Sequence, residues 1–146
     1  IIGNLNKIFS HKEDFIIHTY YPDSHNYQQK YNGSLFMMDI GSRPEVYAKF
    51  DGWKSIEAVK DAQDKKKVLG SDQGWINYIL GDNEARLNEE DGIYHLRNIM
   101  RPDRSTGRIS GQLPDNACMV MFSGNQDPSM PMYVNKLDWV KKNWVL

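Results

Sequence analysis

An acid and an amide stand side by side at Asp72-Gln73, directly after Ser71 and just ahead of Trp75, Tyr78 and Ile79. A helix opening there would carry a carboxylate and a carboxamide on its first turn, beside backbone N–H groups that lack intrahelical partners. The same placement has a purely structural reading, in which Ser71 caps the helix and Asp72 complements its positive end. A second polar cluster, Asn32-Gly33-Ser34, precedes the apolar run Leu35-Phe36-Met37-Met38-Asp39-Ile40. Asn-Gly is a turn pair, and the cluster is equally placed to touch a ligand at a strand edge. A third, Ser123-Gly124-Asn125-Gln126, follows the apolar run 117–122. A glycine-containing loop after a strand can aim backbone N–H groups at a phosphate, although a plain surface loop has the same composition. Asp39 ends its run where open α/β sheets gather ligands, or simply terminates a strand.

Other chemistries are excluded or weakened by count and spacing. The single cysteine, Cys118, rules out an internal disulfide and a multi-thiolate zinc site. His11, His18, His25 and His95 share no metal-ligand spacing and read as surface or loop residues. The Asp64–Lys67 charge run reads as a solvated face. Lys and Arg total 18 against 19 Asp and Glu, so no basic excess exists to neutralise a nucleic-acid backbone. No apolar run approaches the roughly 20 residues that span a bilayer, and no signal-peptide pattern is present. These features predict a cytoplasmic protein. Trp53, Trp75, Trp139 and Trp144 suit ring stacking on a sugar, or core packing.

The elements that would position these residues alternate in type. Ile1-Ile2 suggests the end of a strand that begins outside the sequence. Leu5, Ile8 and Phe9 have helical spacing. Strands are expected over 15–18 and 35–40, with a loop over 20–31 between them. Ser42, Pro44 and Glu45 mark a helix start, with Val46, Tyr47 and Phe50 as its apolar face and Gly52 as its stop. A short helix over 54–61 follows, then the Asp72 helix, ended by Gly81. Short strands are expected over 85–87 and 93–96, a basic loop over 97–111, a strand over 117–122, a loop over 123–131 and a closing helix over 135–144. This pattern predicts a single α/β domain over residues 1–146.

Three segments, in this order and at this spacing, resemble the nucleotide-sugar glycosyltransferases of the family 8 type and their bacterial and phage relatives. Tyr31-Asn32-Gly33-Ser34-Leu35-Phe36-Met37-Met38 is similar to the family's Asn-Ser-Gly segment before a strand. Ser71-Asp72-Gln73-Gly74-Trp75-Ile76-Asn77 is similar to its Asp-Gln helix start, followed by an apolar residue and Asn. Leu113-Pro114 through Ala117-Cys118-Met119-Val120-Met121-Phe122-Ser123-Gly124 is similar to its terminal strand and Phe-His-Gly loop. Ile2-Gly3-Asn4-Leu5 resembles the stretch that follows the Asp-x-Asp metal motif.

The resemblance implies a partial GT-A fold, a mixed sheet with flanking helices, forming the C-terminal, acceptor-side part of such an enzyme. The implied reaction moves a hexose from a nucleoside-diphosphate sugar to a glycan or other hydroxyl acceptor. Asp72 and Gln73 become catalytic candidates, the Asp toward sugar hydroxyls and the Gln near the reacting centre. Asn32, Gly33, Ser34, Ser123 and Gly124 become substrate contacts. Mn²⁺ or Mg²⁺ is implied with ligands mostly outside this chain, because the Asp-x-Asp pair and the nucleotide-binding half are not in it. Ser123 stands where the family has a metal-binding His, and Asp127 where a phosphate-binding Lys is common. Those departures favour the alternative, a non-catalytic carbohydrate- or partner-binding module derived from the same fold.

Overall fold

The computed structural model describes residues 1–19, 31–65, 72–102 and 111–144. They form a mixed α/β structure with a small mixed sheet and flanking helices. The chain divides into two compact units, a central one, His11–Leu87, and a terminal one built from Ile1–Ser10 and Asn88–Leu146. All of the expected loop over 20–31 except Tyr31 (which is in a strand), with its His25, and also Lys66, Lys67, the Ser71 cap and most of the 97–111 loop lie outside the described residues.

The central unit is organised by its middle strand. Strand β1 (Phe15–Thr19) pairs antiparallel with β2 (Tyr31–Met38) and parallel with β3 (Ala85–Leu87). All five β1 residues are buried, as expected of a strand covered on both faces. The pairing with β2 is interrupted: Ile17 faces Phe36, yet the next residue, His18, faces Asn32. Gly33, Ser34 and Leu35 are therefore left out of the ladder as a bulge. The expected turn at Asn32-Gly33 thus lies inside a strand that starts four positions before the predicted one, because Tyr31 and Asn32 pair with β1 beyond the bulge.

Helix α2 (Glu45–Ala48) is a single turn, and helix α3 (Gly52–Asp64) follows it. Gly52 opens α3 and does not stop the preceding helix, since α2 has already ended at the Lys49 cap. Ser42 does not cap either. The α2 cap position is Pro44, without a side-chain bond, and the Ser42 hydroxyl is buried with no hydrogen-bond partner. Helix α4 (Asp72–Leu80) lays Ile76 and Leu80 on the buried Phe15, Ile17 and Tyr31. Trp75 of α4 packs on Val59 and Ala62 of α3 and donates its indole N–H to the Val46 carbonyl at 2.8 Å. Gly81 ends α4 in the left-handed region, as expected.

In the terminal unit, α1 (Asn6–Phe9) is followed after the central unit by a 3-10 turn, Glu89–Asp91, that the sequence reading missed. Its capping box joins Asn88 and Asp91. Strands β4 (Ile93–His95) and β5 (Met119–Met121) form a parallel pair. Helix α5 (Leu96–Ile99) occupies the start of the expected loop, because Leu96 and Ile99 are both buried on one helical face. A single turn, α6 (Pro131–Val134), comes next, and the expected closing helix over 135–144 begins only at α7 (Asp138–Asn143), because Leu137 is extended. The core gathers Leu96, Tyr133, Leu137 and Val140, with Phe122 and Trp139 against it. Ile2 and Gly3 are not in a strand. Their N–H groups both donate to the Cys118 carbonyl, at 2.8 and 3.1 Å.

Two histidines expected at the surface are buried instead: His18 in the covered middle strand and His95 at the end of β4. Burial, assisted by the Arg97 charge, lowers the His95 imidazole to about 4, so it is neutral at pH 7.

Candidate functional site

Asp72 and Gln73 form the first turn of α4. Asp72 is exposed, and its carboxylate accepts the Gln73 backbone N–H at 2.7 Å. That bond satisfies one of the helix's orphan donors and places a negative charge at the positive end of the dipole. Gln73 is half-buried, and its carbonyl accepts the Asn77 side-chain amide at 2.8 Å.

The Asn32-Gly33-Ser34 cluster meets this helix. A Cβ built on Gly33 would lie 3.3 Å from Ile76 Cδ1 and 4.0 Å from Gln73 Cα. Glycine lets the bulged strand approach the first turns of α4 this closely. Asn32 is buried, and its side-chain oxygen accepts the Ser34 N–H at 3.0 Å and the Ser34 hydroxyl at 2.5 Å. This local turn holds the bulge open and leaves Ser34 exposed. Bulges are common beside functional sites because they re-aim side chains out of the ladder.

Asn77 closes the arrangement. Its side-chain oxygen accepts the Tyr31 N–H at 3.0 Å, and its NH₂ donates to the Tyr31 carbonyl at 3.0 Å as well as to Gln73. One buried amide therefore imitates a strand partner for Tyr31 and holds the first turn of its own helix. Asn77 falls within the segment that resembles the Asp-Gln motif, and the resemblance assigns it no role. The signal was a polar residue of poor helix propensity in the middle of a helix, four positions after Gln73. Tyr31 is anchored at its far end too, its hydroxyl accepting the Glu84 N–H at 2.7 Å. Burial raises the Tyr31 pKa, so the phenol stays protonated near neutrality.

Aromatic rings line the other side of α4. Phe50, Trp75 and Tyr78 form a row, with centroids 5.7 Å apart edge-on and 5.8 Å apart stacked. Tyr47 and Phe50 are both exposed, so the expected α2 face is only partly covered.

Ser123 and Gly124 belong to the terminal unit, after β5. Gly124 has φ +65°, and the Ser123 carbonyl accepts the Gln126 N–H at 3.3 Å. Asp127 is engaged locally, its carboxylate accepting the Ser129 N–H and hydroxyl at 2.7 and 2.6 Å, which lower its pKa. Asp39 is exposed, and its backbone N–H donates to the Asp14 carbonyl.

Known protein families, characterised proteins and solved structures offer no match to this chain. Among the described residues, no three His, Cys, Asp or Glu side chains are placed to hold a metal ion. The hydroxyl at Ser123 is a weak ligand by itself. Among the described residues, an ion such as Mn²⁺ or Mg²⁺ finds no fitting set of donors, and would need ligands from other residues.

Proposed function

We propose that this chain is the acceptor-side part of a GT-A-type glycosyltransferase that moves a hexose from a nucleoside-diphosphate sugar to a glycan or other hydroxyl acceptor. In this reading, Mn²⁺ or Mg²⁺ and most of the nucleotide contacts belong to sequence outside residues 1–146. The observation that carries the reading is the meeting of two of its three motif segments. Residues 31–34 and 73–77, some forty positions apart, adjoin at Gly33 and are joined by the Asn77 bonds to Tyr31. An exposed carboxylate and an adjoining amide on a helix N-terminus can orient sugar hydroxyls and offer oxygens to an oxocarbenium-like transition state.

The test is turnover of UDP-sugars by the protein in its full natural length. Asp72→Asn and Gln73→Ala are expected to lower kcat by roughly tenfold to hundredfold, with little change in Tm. Losses of activity that merely track losses of Tm would overturn the catalytic assignment.

A second reading is a non-catalytic carbohydrate-binding module. It is favoured by Asp72, whose carboxylate already serves the helix end. Metal-independent glycan binding, with no affinity for nucleotide sugars, would select it.

A further inference from the structure

We propose that Asn77 is a positioning residue for this site: its single side chain fixes the distance between Tyr31, at the start of the bulged strand, and Gln73. The inference rests on the site proposed above and adds a role that the motif resemblance does not assign.

Three hydrogen bonds of 2.8–3.0 Å leave one buried amide. Two are exchanged with the backbone of Tyr31, two residues before the first bulged position, and one is donated to the carbonyl of Gln73. Strand pairing alone does not hold residues 33–35, because β1 skips them. The contact between Gly33 and Ile76 is van der Waals only and sets closeness, not register. Direction comes from the amide, since its oxygen and nitrogen match the N–H and C=O of Tyr31 in one orientation only. An apolar residue at position 77 would pack but would remove all three of these hydrogen bonds. An acid would keep the acceptor for the Tyr31 N–H and set a negative charge against two carbonyl oxygens.

Asn77→Ala and Asn77→Asp in the full protein separate positioning from plain core packing. Backbone amide resonances report on both segments, and steady-state kinetics with UDP-glucose, UDP-galactose and UDP-N-acetylglucosamine report on the site. The expected result is a set of shifts confined to residues 31–34 and 72–77. Per folded molecule, kcat should fall roughly tenfold or more while KM stays within about twofold. Unmoved resonances at 32–34 and 73 in a folded variant would overturn the proposal. So would shifts spread evenly through β1 and α3, or failure of both variants to fold, since each assigns Asn77 to the general core. If the unaltered protein turns over none of these sugars, the proposed function fails by itself, and the resonances still decide the role of Asn77.

Discussion

Arg43 makes four side-chain hydrogen bonds and a cation–π contact, and the sequence pattern does not point to any of them. Its guanidinium bonds Glu84 at 2.6 and 2.7 Å and Asp14 at 2.8 and 3.2 Å, and lies 5.2 Å above the Phe15 ring. It thereby ties together the chain just before β1, just after β2 and just before β3. The backbone accepts φ +54° to reach this position, in the region that non-glycine residues rarely visit. The Glu84 carboxylate is largely buried, so removing its partner leaves a charge without compensation. Arg43→Ala is expected to cost roughly 1–3 kcal/mol in urea unfolding, and Arg43→Lys to recover only part of it because an ammonium lacks the fork geometry. A cost near zero for both would show the fork to be incidental. His95 supplies a pH dependence with a definite sign. Its folded pKa of about 4 lies below the ordinary 6.5. Above pH 6.5 both folded and unfolded chains hold it neutral. Below that the unfolded chain takes up a proton that the folded chain refuses, so stability falls with pH until about 4. His95→Leu should flatten the slope of unfolding free energy between pH 6.5 and 5, where few carboxylates titrate. An unchanged slope would mean that the buried ring is already protonated.

At the level of elements, turns and close approaches set what the sequence can specify. Gly92 has φ +81° between the 3-10 turn and β4, and a Cβ there would run into the Asn116 carbonyl and approach Cys118 Sγ to 3.1 Å. Gly92→Ala is expected to destabilise the protein by about 2 kcal/mol or more, read as a fall in the urea midpoint at constant m-value. Retained stability would require the β4–β5 pair to shift. Much of the fold was legible because it depends on local pattern: Ala85–Leu87 is a strand as expected, Gly81 stops α4, and Asp72 opens it. The misses share a cause. Gly52 looked like a helix stop because a glycine is symmetrical evidence, and only the early end of α2 makes it a start. Leu137 fitted one long closing helix by periodicity, but the chain extends there to bury it with Tyr133 and Val140. The bulge at Gly33 depends on the register of β2 against β1, and the Asn77 bracket on contacts 46 residues apart, between Tyr31 and Asn77, which no local window contains. For the candidate site, residue types were legible while partners were not. Asp72 was legible as the acid that opens α4, whereas the partners of Asn77 were not.

On the scale of the whole molecule, the two compact units divide the candidate residues between them. Asn32, Gly33, Ser34, Asp72 and Gln73 lie in the contiguous central unit, and Ser123 and Gly124 in the terminal one. The terminal unit is assembled from both ends of the chain, with the Ile2 and Gly3 N–H groups and the Lys7 ammonium reaching carbonyls at Cys118 and Glu90. No helix among the described residues is long and apolar enough to cross a membrane. A near-neutral chain, with net charge −1, has no long-range field to attract a polyanion. A nucleotide sugar would have to be held by local contacts and a divalent ion. Calorimetric titration of UDP-glucose, UDP-galactose and UDP-N-acetylglucosamine into the full-length protein, with and without Mn²⁺, tests this most directly. The account predicts saturable binding of at least one of the three that needs the ion and weakens in Gln73→Ala. Absence of heat for all three with Mn²⁺ present, in a protein verified as folded, would contradict it.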